Sequence, residues 1–325
     1  MNDESLLAAC ISLLEEGARR QPAVDVYHNL ARLRLDQGDG AAAARACLSA
    51  VPLGRDGVNV ARIIAGPAAN PHPAAVRATR ARLLIEGGFT SSAVIAELAR
   101  ASVALGDSAF VRSLLDYERF FRCRMFEPAL RLPLRRIADI FLESPAWYGE
   151  PVDRAIRHAS RYDAISPASE VPEITALYDV LRQAADDFIA NLDSAPDPHP
   201  FTASAPSAFD VEAWGVISGQ GGYHQPHIHP RAWATGVLYI AAPASASQSP
   251  DRIGWLRVGP PGDLMPAAGP VWLERAWEER WIQPTPGLLV VFPAYFTHET
   301  FPMGRNEERI CVAFDIVPRA ASTPV

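Results

Sequence analysis

The sequence contains no lysine. All 30 of its basic residues are arginine, against 37 acidic residues, and the formal net charge is −7. A nucleic-acid partner needs a basic surface, so this balance argues against one. Cysteine is also scarce: the four cysteines are scattered and form no CxxC pair, which argues against a disulfide framework and a cysteine-rich zinc site. Reduced thiols in a cytoplasmic protein are the expected state.

Long hydrophobic runs are missing as well. No stretch approaches the roughly 20 apolar residues that a membrane span needs. The N-terminal segment Met1–Ser5 is acidic and is not a basic region followed by an apolar core, so the sequence predicts no secretory signal. With 325 residues, 49% of them hydrophobic, the chain is long enough for two globular domains. We expect a cytoplasmic protein without a membrane segment.

The first 122 residues have the pattern of an all-α domain. Apolar residues recur there at helical spacing, and β-branched runs are rare. The segment Tyr27–Val51 runs from large to small residues, then to a glycine turn at Gly38 and regularly spaced alanines. It resembles a tetratricopeptide-type helical hairpin, with weaker echoes around Gly88 and Gly106. An ordinary helical bundle is the alternative.

The middle of the chain, residues 123–200, mixes predicted helices with a linker. Pro133–Leu142 and Pro172–Leu192 have helical patterns, and Pro172 suits the first turn of a helix. The proline-rich stretch from Asp193 to Pro200 then interrupts regular structure. We expect these helices to support the domain that follows.

Residues 201–325 have the pattern of β-structure. Short apolar or alternating runs are separated by proline and glycine clusters, which is typical of a sandwich or barrel. These runs are Val211–Ser218, Trp233–Ala241, Gly254–Val258, Leu288–Phe292 and Arg309–Val317. The predicted fold class is therefore α+β, with an all-α domain preceding a β domain.

The last of these runs has the clearest alternation. Strand periodicity places one set of residues on a core face: Ile310, Val312, Phe314 and Ile316. The opposite face is polar and small, and consists of Arg309, Cys311, Ala313 and Asp315. This second face leaves room for a ligand.

Three of the eight histidines lie within six residues, in the segment Gly221–Pro230. His227 and His229 are two residues apart with strand character, so their imidazoles lie on the same side of a sheet. Two neighbouring imidazoles make half of a metal site. His298 offers a distant third imidazole, and Arg309 follows it eleven residues later. The pattern predicts a metal centre with an arginine nearby.

The two segments that carry these residues also resemble a known family. The first has His227-Ile-His229-Pro230 followed by Thr235-Gly-Val-Leu-Tyr239, and the second runs from Pro286 through His298 to Phe314. Together they resemble the 2-oxoglutarate and iron(II)-dependent oxygenases, and among these the bacterial proteins with an HxHP…SGxYY motif. The resemblance implies a double-stranded β-helix (jelly roll), with iron(II) and 2-oxoglutarate as cofactors. It also implies oxidation of an unactivated C–H bond, hydroxylation by default, with release of succinate and CO2.

The resemblance assigns roles to the motif residues. His227 corresponds to the first histidine ligand and His298 to the far one. His229 falls where the wider superfamily has an aspartate or glutamate. We expect His229 to be the third ligand, and water is the alternative. Arg309 corresponds to the basic residue that holds the distal carboxylate of 2-oxoglutarate, a task that suits the fork of a guanidinium.

Further site residues follow from the same alignment of motifs. The superfamily often has a hydroxyl two residues after the arginine, and Cys311 occupies that position here. We expect Tyr239 or Tyr223 to supply the hydroxyl to the cofactor instead. Residues that flank the ligand segments are candidates for the substrate entrance: Gln220, His224, Trp233 and Tyr295.

Other functions remain open at this point. A three-histidine cupin dioxygenase fits the glycine before HxH, although Ala232, Trp233 and Ala234 stand where its glutamate belongs. A zinc hydrolase or lyase fits three histidines and a bound water. A non-catalytic scaffold that binds through the helical repeats is the third alternative. The substrate is a free amino acid, a peptide, a natural-product intermediate or a carrier-bound molecule, and the N-terminal helices are expected to bind a protein partner or to form a homodimer.

Overall fold

The computed structural model describes residues 3–54, 59–67, 69–144, 147–148, 155–192, 199–247, 251–259, 279–304 and 307–319. The chain divides into two compact units. A helical unit comprises Met1–Leu114, Pro198–Ser204 and Arg319–Val325, and a β-rich unit comprises Leu115–Asp197 and Ala205–Pro318. The division predicted at residues 122 and 200 stays a prediction. Most of the predicted proline-rich linker, residues 193–198, lies outside the described residues.

The helices are short to medium in length. In chain order they are α1 (Asp3–Arg20), α2 (Val24–Asp36), α3 (Gly40–Ala50), α4 (Val60–Ala65), α5 (Ala74–Glu86), α6 (Ser92–Ala104), α7 (Ser108–Leu114), α8 (Tyr117–Phe120), α9 (Glu127–Leu130), α10 (Leu134–Glu143), α11 (Pro172–Ala190) and α12 (Pro200–Ala203). Single 3₁₀ turns cover Val51–Leu53 and Ala244–Ser247. None of the helices in the described part of the chain is long and apolar enough to span a membrane.

Helices that follow one another in the helical unit pack in pairs. Contacts join α1 to α2, α2 to α3, α3 to α5 and α5 to α6. The glycines that were predicted to mark turns, Gly38, Gly88 and Gly106, each have positive φ just after a helix, a conformation that glycine adopts without strain. A methyl group on Gly40 would lie 2.4 Å from the carbonyl oxygen of Leu83, so small residues let α3 and α5 approach closely. The tetratricopeptide-like assignment of these pairs stays a prediction.

The strands form one curled, antiparallel assembly. They are β1 (Arg122–Met125), β2 (Trp147–Tyr148), β3 (Ile156–Ile165), β4 (Phe209–His227), β5 (Ala234–Ala241), β6 (Leu256–Val258), β7 (Arg280–Ile282), β8 (Leu288–Pro293), β9 (His298–Thr300) and β10 (Arg309–Pro318). Their order is β1-β8-β5-β10-β4-β9-β6-β7, while β3 pairs with β4 and with β2. The α+β prediction is confirmed, with a jelly-roll core.

The long strand β4 connects two layers of this roll. Its first half, from Phe209 to Ser218, pairs with β10, and its second half pairs with β9 through His224 and His227. The register with β9 and β3 shifts within this second half, and Gly221 takes positive φ there. One sheet therefore contains β1, β8, β5, β10 and the start of β4, and the other contains the end of β4, β9, β6 and β7.

The alternation in Arg309–Val317 predicted one buried face, and this face lies on the outside of the first sheet. Ile310, Val312, Phe314 and Ile316 are all buried there. Helix α10 contacts β5 and helix α11 contacts β4. Gly236 of β5 is directly opposite Phe314, and a methyl group at that position would lie 2.5 Å from the phenyl ring. The glycine of the Thr-Gly-Val-Leu-Tyr motif is thus required for packing.

Candidate metal centre

Three histidines meet where the two sheets adjoin. His227 is the last residue of β4 and lies directly opposite His298, the first residue of β9, while His229 follows two residues after β4. Their possible ligand atoms all lie within 4.8 Å of one another. The Nε2 atoms of His227 and His229 are 3.2 Å apart. The structure therefore brings together the three histidines that the sequence singled out.

Each of the three rings is held through its Nδ1 atom. Nδ1 of His227 lies 2.7 Å from the carbonyl oxygen of Gln225, and Nδ1 of His298 lies 3.1 Å from that of Phe296. Nδ1 of His229 lies 2.6 Å from Oδ1 of Asp315. Carbonyl and carboxylate oxygens only accept hydrogen bonds, so each Nδ1 carries the proton and donates. The lone pair of each ring is therefore on Nε2, the atom that faces the cluster.

The surroundings keep two of these rings neutral. Burial, followed by repulsion from His229, lowers the pKa of His227 to about 3. Burial, followed by repulsion from His227, holds the pKa of His298 well below its usual value. The edge of Phe292 contacts the His298 ring, with centroids 5.0 Å apart, and provides an apolar wall. A neutral imidazole is the form that binds a metal ion.

Arg309 lies on the inner face of β10 and is only 1% exposed. Its guanidinium donates to the carbonyl oxygen of Gly254 at 2.6 Å, to Oγ of Ser218 at 3.0 Å and to Oγ1 of Thr300 at 3.3 Å. Its Nε has no hydrogen-bond partner among the described residues, and no carboxylate of those residues forms an ion pair with it. A buried cation without an anionic partner is costly, so the site fits an anionic ligand.

Tyr239 and Cys311 lie beside this arginine. Tyr239 of β5 is directly opposite Cys311 of β10, and alternation places Arg309 on the same face as Cys311. Burial raises the pKa of the Tyr239 hydroxyl and of the Cys311 thiol, and the charge of Arg309 opposes both shifts. Both groups are therefore neutral donors next to a fixed positive charge.

The comparison with protein families decides between the alternatives. Residues 212–315 match the family described as "Putative 2OG-Fe(II) oxygenase". This part of the chain, about a third of it, matches the 2-oxoglutarate and iron(II)-dependent oxygenases. The match spans the histidine cluster and Arg309, so iron(II) and 2-oxoglutarate are the cofactors of this oxygenase domain. A comparison with curated protein sequences finds no match.

Solved structures resemble the oxygenase at low identity. A Pseudomonas putida prolyl-4-hydroxylase is 19% identical, with 65% of this chain and 99% of that chain covered and a TM-score of 0.42. A Trichoplax adhaerens prolyl hydroxylase, in complex with a hypoxia inducible factor peptide, is 14% identical, with 69% and 97% covered and a TM-score of 0.44. HygX from Streptomyces hygroscopicus, with nickel and 2-oxoglutarate bound, is 14% identical, with 63% and 85% covered and a TM-score of 0.36. These are likenesses only, and the family match carries the assignment.

His224 lies between the three-histidine cluster and Arg309. Its ring stacks near that of His227, with centroids 6.0 Å apart. Its backbone N–H donates to Oγ1 of Thr300 at 2.8 Å, and its Nδ1 lies 3.3 Å from the same oxygen. Because Thr300 also accepts from Arg309, its own hydrogen is free to go to Nδ1 of His224. His224 then keeps a hydrogen on Nε2 and is a hydrogen-bond donor.

The other predicted site residues lie elsewhere. Trp233 is buried and packs against Phe188 of α11, with ring centroids 5.8 Å apart. Tyr295 is buried and contacts Phe296 edge to face. Gln220 is exposed, and Tyr223 pairs with β3 next to His224. The described contacts bring neither Gln220 nor Tyr223 to the histidines or to Arg309.

Several residues of the site were not predicted in these roles. Asp315 is the hydrogen-bond acceptor of a histidine in the cluster, and the Trp214 ring stacks on that histidine, with centroids 5.8 Å apart. Ser218 and Thr300 bind the guanidinium of Arg309. Alternation gave a usable signal for two of them, because Asp315 shares a face with Arg309 and Thr300 shares one with His298. Only the pairing of distant strands identifies their partners.

Proposed function

We propose that the protein is a hydroxylase that holds iron(II) on His227, His298 and His229 and binds 2-oxoglutarate through Arg309. The observation that carries this proposal is the orientation of the three imidazoles, whose Nδ1 atoms are all engaged and whose Nε2 atoms face one another. When bound, iron(II) and 2-oxoglutarate supply the activation of dioxygen. The chain's own residues bind, orient and enclose them.

The donor set fits an iron ion with open positions. Three imidazole nitrogens on one side of a metal leave the remaining positions for the co-substrate and oxygen. Gln225 and Phe296 contribute backbone carbonyls, which fix two of the rings without competing for the metal. Phe292 keeps water from the His298 side of the cluster. The third imidazole takes the place of the carboxylate that the wider superfamily uses.

The region around Arg309 fits the far end of 2-oxoglutarate. The unpartnered Nε and the absence of a described carboxylate partner support an anion at this place. The hydroxyls of Ser218, Thr300 and Tyr239 and the thiol of Cys311 surround the guanidinium and offer further hydrogen bonds. His224 lies near both His227 and Thr300, so its ring Nε2–H would be available to a dicarboxylate held between the histidines and Arg309.

We propose that the reaction inserts one oxygen atom into an unactivated C–H bond. One atom of dioxygen enters the new hydroxyl group of the substrate. The other enters succinate, which is formed when 2-oxoglutarate loses CO2. The substrate class is an amino acid, a peptide or a natural-product intermediate, and substrates carried by a protein are included. A cupin dioxygenase or a zinc enzyme differs in one measurable respect, because neither needs 2-oxoglutarate.

The test begins without oxygen. Iron(II) and then 2-oxoglutarate are added to the metal-free protein, and the weak visible charge-transfer band of the chelate is recorded. We expect the band to appear only with both additions and to be lost in His298→Ala, while His28→Ala keeps it because His28 is in the helical unit. Succinate release in air is then measured against amino-acid and peptide libraries. Substrate turnover that does not depend on 2-oxoglutarate would refute the proposal.

A further inference from the structure

His229 occupies the position at which the wider superfamily has a carboxylate ligand, and a carboxylate lies directly behind it. Oδ1 of Asp315 is 2.6 Å from Nδ1 of His229. We propose that Asp315 is a positioning residue that supplies, through the imidazole of His229, the negative charge that a carboxylate ligand would bring. This inference rests on the proposed iron site. It adds a residue to that site and explains why a third histidine can serve there.

The surroundings hold the contact between Asp315 and His229 in place. Asp315 is on the inner face of β10, and its side chain and that of His229 are only 15% and 12% exposed. Oγ1 of Thr235, directly opposite Asp315 in β5, lies 3.4 Å from the same Nδ1. The Thr235 hydroxyl donates to the carbonyl oxygen of Phe314 at 3.1 Å, so its oxygen, not its hydrogen, is available to the ring. Both groups thus favour a proton on Nδ1 and a lone pair on Nε2.

The plane of the ring is fixed as well. Trp214, on the neighbouring strand β4, stacks against His229 with centroids 5.8 Å apart and planes 21° apart. The guanidinium of Arg161 covers the Trp214 ring at 4.3 Å, so the indole is itself held. The hydrogen bond to Asp315 and this stacking together leave the imidazole one orientation. A ligand held in this way loses little conformational freedom when the metal binds.

The charge balance favours the same conclusion. A divalent ion on three neutral imidazoles gives a site of net charge +2, whereas two imidazoles and one carboxylate give +1. Among the described residues, Asp315 pairs only with His229, so its charge is not neutralised by an arginine. When the negative charge of Asp315 is included, the three-histidine site also has a net charge of +1. A carboxylate behind a ligating histidine also makes the imidazole a stronger donor.

The test compares cobalt(II) binding by the full-length protein and its variants. Asp315→Asn keeps an acceptor of the same shape and removes the charge. Glu212→Gln is the matched control, because Glu212 lies directly opposite Asp315 on β4 and is exposed. We expect Asp315→Asn to weaken cobalt(II) binding by about 10- to 100-fold and to shift the visible cobalt bands. Glu212→Gln should stay within about twofold of the wild type. Equal losses in both variants, or no loss in Asp315→Asn, would overturn the inference.

Two further measurements separate positioning from a general structural role. In a His229→Ala background, Asp315→Asn should change cobalt(II) affinity by less than about twofold, since its route to the metal is gone. In the zinc-loaded wild type, nitrogen-15 spectra should show the His229 proton on Nδ1, slow to exchange. A proton on Nε2 refutes the inference without any variant. If the wild type itself binds no metal, the proposed iron site fails, whereas failure limited to Asp315 leaves that site intact.

Discussion

Arg309→Met should abolish tight binding of 2-oxoglutarate while leaving the metal site in place. The arginine is 1% exposed and lies on β10, and it is not one of the three imidazole ligands of the proposed iron site. Methionine has a similar length and no charge, so it fills most of the space. Its effect therefore reports the loss of the guanidinium. The chelating end of 2-oxoglutarate does not depend on this residue.

The size of the effect follows from the donors that remain. A guanidinium has five N–H groups, and three donate to Gly254, Ser218 and Thr300. Two are left for a carboxylate, one of them on the unpartnered Nε. Hydrogen bonds to charged groups contribute about 1.5–3 kcal/mol each, so the two together contribute about 3–6 kcal/mol. Removal should raise the dissociation constant of 2-oxoglutarate by about 10²- to 10⁴-fold.

Anaerobic titration of the iron(II)-loaded protein with 2-oxoglutarate measures this constant from the charge-transfer band. Arg257→Met is the control, because Arg257 of β6 is already paired with Glu279 and Glu299. A second readout is stability. A ligand at 100 times its dissociation constant raises the free energy of unfolding by about 2.7 kcal/mol, and Arg309→Met should show almost none of this increase. Binding by Arg309→Met within about threefold of the wild type would refute the reasoning.

Three further predictions concern other parts of the chain. Thr300→Val leaves an N–H of buried Arg309 unpaired, so it should weaken 2-oxoglutarate binding about tenfold with little change in cobalt(II) affinity; an equal loss of both would contradict the assignment. Because burial and repulsion from His229 lower the pKa of His227 to about 3, the unfolded chain takes up a proton there as the pH falls through 6.5 and the folded chain does not. The Tm of the metal-free protein should therefore fall from pH 7 to pH 5, and His227→Gln should lessen that fall rather than leave it unchanged. Gly40→Ala should lower the free energy of unfolding by about 1–3 kcal/mol, because the new methyl meets a backbone carbonyl, whereas Gly17→Ala, with open space around it, should raise it by up to about 1 kcal/mol; urea unfolding distinguishes these signs.

Local patterns predicted those elements whose own residues form a buried face. The alternation in Arg309–Val317 identified β10, and the helical stripe from Pro172 identified α11. Strands β1, β2, β3, β7 and β9 were not predicted. Four of these five have only two to four residues, too few for alternation to show, and their stability comes from neighbours distant in sequence. Strand β3 carries charged residues among its buried ones, so it has no clean apolar face.

The residues of the candidate site also fall into those that local sequence patterns predicted and those that they did not. The HxH spacing identified His227 and His229 as neighbouring ligands, and their Nε2 atoms are 3.2 Å apart. The strand predicted to carry both was wrong at its end, because β4 stops at His227 and His229 lies two residues beyond it. The substrate candidates Trp233 and Tyr295 were chosen only for nearness in sequence to the ligands, and both pack in the interior. The spacing from His298 places Thr300 on the same face, but Thr300 was missed because its contacts with Arg309 and His224 join strands that are distant in sequence.

One strand sets both ends of the proposed site. Asp315 and Arg309 lie on the same face of β10, six residues apart, which is about 20 Å of extended chain. Asp315 holds the ring of His229, which in the proposed site would bind the iron, and Arg309 would bind the far carboxylate of 2-oxoglutarate. A slip of β10 by one residue against β4 and β5 would turn both side chains towards the core and bring Ile310 and Ile316 to the inner face. The buried apolar face of β10 therefore fixes the register on which the positions of Asp315 and Arg309 both depend. The packing of Phe314 against Gly236 contributes to this register, and so to the geometry of the proposed site.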